Sequence, residues 1–211
     1  MVSSPVQNVF STPLLVTRGF GQDGLNDALR AFILDLRDQT PNSQRSNIHG
    51  WESGLDFHAH ADPCVQQLKS HLHRHFFQIS SQFAGAAVEQ VQMRFTESAL
   101  ANVACKGAYH APHIHRGCSW SAVYYVAAAK DSRGELELLD PRTNPVIPGI
   151  SRRKNAVLVK PEPGLTVVFP GWLEHWVHPW DSNEDRISVA WNITIQDFGL
   201  RAERAGEQSQ R

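Results

Sequence analysis

Three histidines lie close together near the middle of the chain, in the segment YHAPHIHRG at residues 109–117. A β-strand directs residues i and i+2 to the same face, with their Cβ atoms several ångströms apart. His113 and His115 have this spacing, so their imidazoles can bind one metal ion together. His110 precedes His113 by three residues, with Pro112 between them, and we expect it at the rim of the site rather than among the ligands.

A third metal ligand must come from a distant part of the chain. The segment FPGWLEHWVHPW contains His175 and His178, and of these His175 directly follows a strand-like run and a Pro-Gly turn. Arg186 then opens RISVAWNITI, a run typical of a buried strand. Because an unpaired buried guanidinium is costly, Arg186 needs an anion, and its planar fork suits a carboxylate. Ser188 lies on the same strand face and can add a hydroxyl group.

This ordered set of motifs resembles the Fe(II)/2-oxoglutarate-dependent oxygenases, in particular a bacterial branch with the pattern PHxH, a distant His and RxS. The resemblance covers about residues 9–196 and rests on FSTPLL, SNIHGWESG, PHIH, SAVYYV, GELELLDPR, FPGWLEH and RISVAWN. It implies a mainly β fold, with a double-stranded β-helix (jelly-roll, cupin-like) core and N-terminal supporting helices.

The resemblance also implies the metal ligands. His113 and His175 match the two metal-binding imidazoles, and His115 occupies the position where most of the superfamily has Asp or Glu. Either three histidines therefore hold Fe(II), or a nearby carboxylate replaces His115. The candidate carboxylates are Glu135, Glu137 and Asp140.

For the co-substrate, the resemblance implies that Arg186, helped by Ser188, anchors the distal carboxylate of 2-oxoglutarate. Tyr125, in VYYV, is similar in position to a tyrosine whose hydroxyl binds the same carboxylate. The implied activity is that of a non-haem iron dioxygenase. It couples O2-dependent oxidative decarboxylation of 2-oxoglutarate to oxidation of a substrate, with hydroxylation as the expected outcome.

Other functions use the same residues differently. A three-histidine, cupin-type dioxygenase would not use 2-oxoglutarate. In such an enzyme Arg186 would bind a carboxylate of the enzyme's own substrate. A non-catalytic β-barrel would bind a metal or a small molecule without turnover. A zinc hydrolase is a weaker alternative, because the sequence has no HExxH motif. Arg186 could also form a structural salt bridge, with Asp140 or Glu174 as partner.

Two helices and a series of strands must position these residues. DGLNDALRAFILDLRDQ has apolar residues at helical spacing, and DPCVQQLKSHLHRHFFQISSQFAGA begins with Asp62 as N-cap and Pro63 at the first helical position. We expect His71, His73 and His75 at the surface or at the edge of the apolar stripe of the second helix. After Gly85, short β-rich runs separated by turn residues predict an antiparallel sandwich or barrel.

The chain of 211 residues is predicted to form one domain, residues 1–211. Helical support is expected at about 22–84, a β core at about 88–196 and a frayed tail at 199–211. A net charge of −1 gives no indication of nucleic-acid binding. The three cysteines form no disulfide or zinc pattern, and no apolar run approaches the roughly 18 residues of a membrane span. We therefore expect a cytoplasmic protein whose partner is a small molecule or a peptide side chain, and a homodimer stays open.

Overall fold

The structure, a computed structural model, describes residues 10–43, 47–142 and 156–201. Two α-helices, α1 (Leu25–Gln39) and α2 (Pro63–Ala84), lie within the predicted helical region. Short 3-10 turns occur at Phe57–Ala59 and Val88–Gln90. None of the helices in these ranges has the length and apolar character needed to cross a membrane.

The described residues contain eleven strands, which form two antiparallel sheets. The strands are β1 (Leu15–Thr17), β2 (Asn47–Ile48), β3 (Trp51–Glu52), β4 (Val91–Ala104), β5 (Tyr109–His113), β6 (Trp120–Ala127), β7 (Leu136–Leu139), β8 (Ala156–Val159), β9 (Thr166–Pro170), β10 (His175–Val177) and β11 (Arg186–Leu200).

The strand order is that of a double-stranded β-helix. One sheet has the order β1-β9-β6-β11-β4-β3, and the other has the order β2-β5-β10-β7-β8. The eight strands from β4 to β11 pass back and forth between the two sheets, as in a jelly roll. The predicted mainly β fold with N-terminal supporting helices is therefore confirmed.

The two faces of the larger sheet contact different parts of the molecule. Ile187, Val189 and Trp191 of β11 belong to the hydrophobic core that also contains the buried residues of α1 and α2. Since side chains alternate along a strand, Arg186 and Ser188 point the other way, into the space between the sheets. The helices thus cover one face of the sheet and leave its other face to line the barrel interior.

The second helix begins as predicted, because the Asp62 side chain accepts a hydrogen bond from the Cys64 backbone amide and Pro63 follows it. The prediction for His71 is wrong. This residue is 6% exposed, its Nε2 lies 2.9 Å from Thr166 Oγ1, and its ring stacks on Phe20 with centroids 3.6 Å apart. The helical pattern did not reveal that a polar group of the sheet lies opposite it.

The C-terminal boundary also differs from the prediction. β11 continues through Gly199 and Leu200, where it pairs with the start of β4, so the expected tail from residue 199 does not begin there. Residues 202–211 lie outside the described part. Between α1 and α2 lie the two short strands β2 and β3, each of which forms an edge of one sheet.

Candidate active site

The structure brings His113, His115 and His175 together. His113 is the last residue of β5, and it lies directly opposite His175, the first residue of β10. His115 lies beyond the end of β5, so it reaches the cluster from a turn and not from a continuous strand. That turn is fixed by backbone hydrogen bonds from His115 to the Gly171 carbonyl (2.8 Å) and from Cys118 to the His115 carbonyl (3.1 Å).

The three imidazoles have the geometry of a metal site. Each can offer a nitrogen, and the three nitrogens lie within 4.8 Å of one another. His113 Nδ1 lies 2.7 Å from the Ala111 carbonyl, and His175 Nδ1 lies 2.7 Å from the Leu173 carbonyl. Because a carbonyl can only accept, both rings donate from Nδ1 and keep the lone pair of Nε2 for a metal.

The protonation states also suit metal binding. Burial, and secondarily the neighbouring His113, lower the pKa of His115 to about 4 and that of His175 to about 3. Both rings are therefore neutral at neutral pH. A metal ion does not have to displace a proton from either of them.

The alternative in which a carboxylate replaces His115 as a ligand has no support among the described residues. Glu137 Oε2 lies 2.6 Å from His178 Nε2 on the outer face of β7, while Leu136 and Leu138 point inward. Glu135 accepts from the Gly134 amide, and Asp140 pairs with Arg142. Within the described ranges, the metal-type cluster contains three histidines and no acid.

His110 is a buried residue that lines the site. The predicted position at the rim is wrong, because His110 is only 8% exposed. Burial, followed by the charges of Arg186 and of the three clustered histidines, lowers its pKa to about 3. His110 therefore stands as a neutral ring near both the histidine cluster and Arg186. Its spacing alone could not show this, because Pro112 lies within β5 and the sequence does not show which way the His110 ring faces.

Arg186 is a buried cation, and none of the acidic residues in the described ranges pairs with it. It is 1% exposed, its Nη1 donates to the Gly134 carbonyl at 3.0 Å, and its guanidinium lies 5.6 Å from the centroid of the Trp180 ring. Gly134 permits this approach, because a Cβ there would lie 2.7 Å from Nη1. Nε has no hydrogen-bond partner. In the described part of the chain, neither Asp140 nor Glu174 forms the expected alternative salt bridge.

Three more polar side chains surround the guanidinium end of the interior. Ser188 lies between Tyr125 of β6 and Asn102 of β4 across the sheet. Tyr125 and Asn102 are 1% and 3% exposed, and Asn102 Oδ1 has no partner. Ser188 and Tyr125 were predicted from the sequence, whereas Asn102 was not. The feature of the sequence that could have indicated Asn102 is its position as a single amide residue between two apolar residues, Ala101 and Val103. Both of these neighbours face the helices.

The donor set fits a divalent metal and a dicarboxylate. Three imidazole nitrogens suit a first-row transition metal such as Fe(II) and leave positions open for other ligands. A buried guanidinium with an unpaired Nε calls for an anion, because leaving such a charge unpaired is costly. Burial lowers the pKa of Arg186, and the effect of Tyr125 opposes this, so an incoming anion would further stabilise the charged guanidinium.

Comparison with known proteins agrees with this geometry. Residues 98–192 match the family described as Putative 2OG-Fe(II) oxygenase, where 2OG is 2-oxoglutarate. This range contains all of the clustered histidines and Arg186. No curated protein matches the sequence.

Solved structures share the fold at low sequence identity. A prolyl-4-hydroxylase from Pseudomonas putida has a TM-score of 0.62 and 16% identity, over 89% of this chain and 95% of that one. A prolyl hydroxylase from Trichoplax adhaerens, in complex with a hypoxia inducible factor peptide, has a TM-score of 0.62 and 13% identity, over 87% and 84%. HygX from Streptomyces hygroscopicus, with nickel, 2-oxoglutarate and hygromycin B bound, has a TM-score of 0.58 and 12% identity, over 88% and 84%. Residues 98–192, somewhat less than half of the chain, are thus similar in sequence to the 2OG-Fe(II) oxygenase family, and the solved structures show that the fold is shared.

Proposed function

We propose that the protein is an Fe(II)-dependent dioxygenase that couples oxidative decarboxylation of 2-oxoglutarate to oxidation of a second substrate. One observation carries the proposal. A cluster of three histidines shares the barrel interior with Arg186, a buried cation for which the described residues provide no acidic partner. A metal chelate and a distal carboxylate are the two things that 2-oxoglutarate presents to a protein.

The three histidines would hold the metal through Nε2 of His113 and His175 and a nitrogen of His115. The bound Fe(II), with 2-oxoglutarate and O2, would supply the oxidising chemistry. The carbonyl groups of Ala111 and Leu173 fix two of the rings before the metal arrives. This preorganisation lowers the cost of assembling the site.

The distal carboxylate of 2-oxoglutarate would lie against Arg186, Ser188 and Tyr125. Burial raises the pKa of Tyr125 to about 12, against the opposing effect of Arg186, so its phenol stays protonated and can donate. A carboxylate that receives a guanidinium and two hydroxyl donors is held more strongly than by neutral partners alone. Trp180, packed on Arg186 and 1% exposed, keeps water away from this end.

For the second substrate we propose a small molecule or a peptide side chain, with hydroxylation as the outcome. The P. putida and T. adhaerens structures are prolyl hydroxylases, and HygX has hygromycin B bound. These names describe those proteins. They support a proposal no narrower than a small molecule or a peptide side chain as the second substrate. Action in the cytoplasm and formation of a homodimer remain predictions.

Anaerobic titration of 2-oxoglutarate into the Fe(II)-loaded protein tests the proposal. A visible charge-transfer band should appear as the 2-oxo acid chelates the metal, and the protein should melt at a higher temperature. Arg186→Met should abolish the effect of 2-oxoglutarate on melting and leave metal binding intact. Arg18→Met is the matched control, because Arg18 pairs with Glu162 at the surface. No band and no stabilisation in the unmodified protein would overturn the proposal.

The lack of an acid among the ligands favours one second candidate, a three-histidine dioxygenase that does not use 2-oxoglutarate. In that enzyme Arg186 would bind a carboxylate of the substrate itself. Oxygen consumption that is independent of 2-oxoglutarate, together with the absence of the charge-transfer band, would support it over the first proposal.

A further inference from the structure

An apolar groove lies where α2 ends, on the side of the larger sheet that this helix covers. Its volume is about 670 Å³, and its walls come from the end of α2, the start of β6 and the far end of β11. None of the described residues that line the groove is charged. The larger apolar side chains among them are Phe83, Trp120, Pro170, Trp172, Ile195 and Phe198.

Three aromatic residues at this groove are open to water. Phe83 of α2 is 72% exposed, Trp172 in the turn after β9 is 51% exposed and Phe198 of β11 is 42% exposed. If a whole aromatic side chain offers about 200 Å², the three together present roughly 330 Å². The largest apolar patch on an ordinary monomer is about 300–600 Å² and is often functional. Leu200, also exposed, lies two residues after Phe198 and points to the same side. The groove, the three aromatics and Leu200 are called the apolar face below.

The size of the apolar face fits an interface between two copies of this chain. A standard interface buries about 800 Å² on each partner, and in homodimers about 65% of that area is apolar. The three aromatics supply more than half of the roughly 520 Å² of apolar area that this requires, and Leu200 with the walls of the groove can supply the rest. A partner with the same face leaves neither copy with an exposed apolar patch.

The strand that carries two residues of this face also has an open edge. β11 pairs with β6 as far as Ile193, and beyond this point it pairs with β4 alone in the described part of the chain. The Ile195 amide still donates to Ser119 Oγ at 3.0 Å, which leaves residues 196–200 as the open edge. Such an edge presents amide and carbonyl groups with which another strand can pair.

A second copy of the same strand is the partner that fits this edge. Two identical strands that pair antiparallel are related by a twofold axis, so each copy makes the contacts that it receives. Residues 196–200 contain no proline, and their one charged residue, Asp197, lies opposite Arg94 of β4. Since Phe198 and Leu200 point to one side of the strand, this pairing would bring the two apolar faces together on one side of a continuous sheet.

We propose that the protein forms a homodimer in which residues 196–200 pair antiparallel with the same residues of a second copy and the two apolar faces cover each other. The inference goes beyond the proposed function, because it uses neither the histidine cluster nor Arg186. The dimer would nevertheless lie beside the metal site. Trp172 follows Gly171, whose carbonyl accepts from the His115 amide at 2.8 Å.

Sedimentation velocity of the full chain, without added metal, tests the inference. The unmodified protein should sediment with twice the mass of one chain at about 50 μM and shift towards the monomer on dilution. Phe83→Glu and Phe198→Lys should each be monomeric at the same concentration, because a charge buried in an apolar interface is costly. Leu158→Lys is the matched control. Leu158 is an exposed apolar residue on β8 of the other sheet, so this variant should remain a dimer.

Hydrogen exchange separates strand pairing from contacts between side chains alone. The amides of residues 196–200 should exchange more slowly as the concentration of the unmodified protein rises, because pairing with the second copy occupies them. Phe198→Lys should remove this dependence on concentration. The amides of α1 are the internal control and should exchange at the same rate at every concentration.

A protein that is monomeric at every concentration would overturn the inference, and so would a dimer that persists in both folded variants, Phe83→Glu and Phe198→Lys. Loss of the dimer in Leu158→Lys as well would contradict the location of the interface. Protection of residues 196–200 that does not depend on concentration would mean that the chain covers its own edge, and this too would contradict the proposal. These measurements need neither metal nor 2-oxoglutarate, so their failure is distinct from failure of the proposed function.

Discussion

His113 and His175 face each other across β5 and β10, and each ring is held by the backbone carbonyl two residues before it. The same kind of local hydrogen bond thus orients two imidazoles that are 62 residues apart in the sequence. Their ring centroids are 4.3 Å apart. The pair is therefore built into the sheet before any metal binds, and His115 completes it from a turn.

Loss of one ring of this pair should weaken metal binding strongly. We expect His175→Ala to reduce Fe(II) affinity by more than the roughly 10- to 100-fold typical of losing an outer hydrogen-bond partner of a ligand. His178→Ala is the control, because His178 binds Glu137 on the outer face of the sheet, and it should keep normal affinity. Isothermal titration with Fe(II) under argon measures both. Equal affinities for the two variants would contradict the assignment of His175 as a ligand.

Restoration of an acid at position 115 should strengthen the binding of hard cations. A carboxylate offsets the charge of a divalent ion, which three neutral imidazoles do not. We expect His115→Asp to bind Fe(II) and Mn(II) more tightly than His115→Ala and to lower the iron reduction potential relative to the unmodified protein. Metal titration and anaerobic potentiometry measure these changes. If His115→Asp binds no better than His115→Ala, position 115 does not face the metal.

The sequence was sufficient to predict the parts of the site that depend on residue type and strand spacing. His113, His175 and Arg186 stand out because imidazoles at strand spacing and a cation at the start of an apolar strand are unusual. Asn102 was missed, because a lone amide in a strand is common and only the pairing of β4, β11 and β6 shows which face it takes. The spacing of residues along the sequence does not show which strands pair with one another.

Glu97 should make the stability of the fold sensitive to acid. Its carboxylate contacts Lys69 Nζ (2.6 Å), His73 Nε2 (2.7 Å) and Trp191 Nε1 (2.9 Å), which joins α2 to both long strands. Burial raises the pKa of Glu97, but the hydrogen bonds from these partners outweigh it and lower the pKa to about 2. The stabilisation is therefore present above the ordinary value of 4.5 and is lost as the pH falls from 4.5 towards 2.

Glu97→Gln should lower the free energy of unfolding at neutral pH by about 1.5–3 kcal/mol, the range for hydrogen bonds to charged groups. It should also flatten the loss of stability below pH 4.5. Urea unfolding at several pH values measures both effects. Glu89→Gln is the control, since Glu89 lies in the short turn before β4. The same acid-limb slope in Glu97→Gln and the unmodified protein would contradict the prediction.

His71 should contribute a second pH dependence, which begins at a higher pH than that of Glu97. Burial, followed by the charges of His75 and Arg74, lowers the pKa of His71 to about 3 from an ordinary value of 6.5. The unfolded chain therefore binds a proton at this residue below pH 6.5, whereas the folded protein does not, and stability falls as the pH drops from 6.5 towards 3. One such group contributes a slope of at most about 1.4 kcal/mol per pH unit.

His71→Gln removes the titration but keeps an amide that can reach Thr166 Oγ1, so it should reduce the slope between pH 6.5 and 4 relative to the unmodified protein. His58→Gln is the control, because His58 is a partly exposed ring whose Nδ1 lies 3.2 Å from the Leu55 carbonyl. Denaturant midpoints across this pH range measure the difference. An unchanged slope in His71→Gln would mean that the ring is protonated in the folded protein, and the stacking on Phe20 would then have to be reconsidered as a cation–π contact.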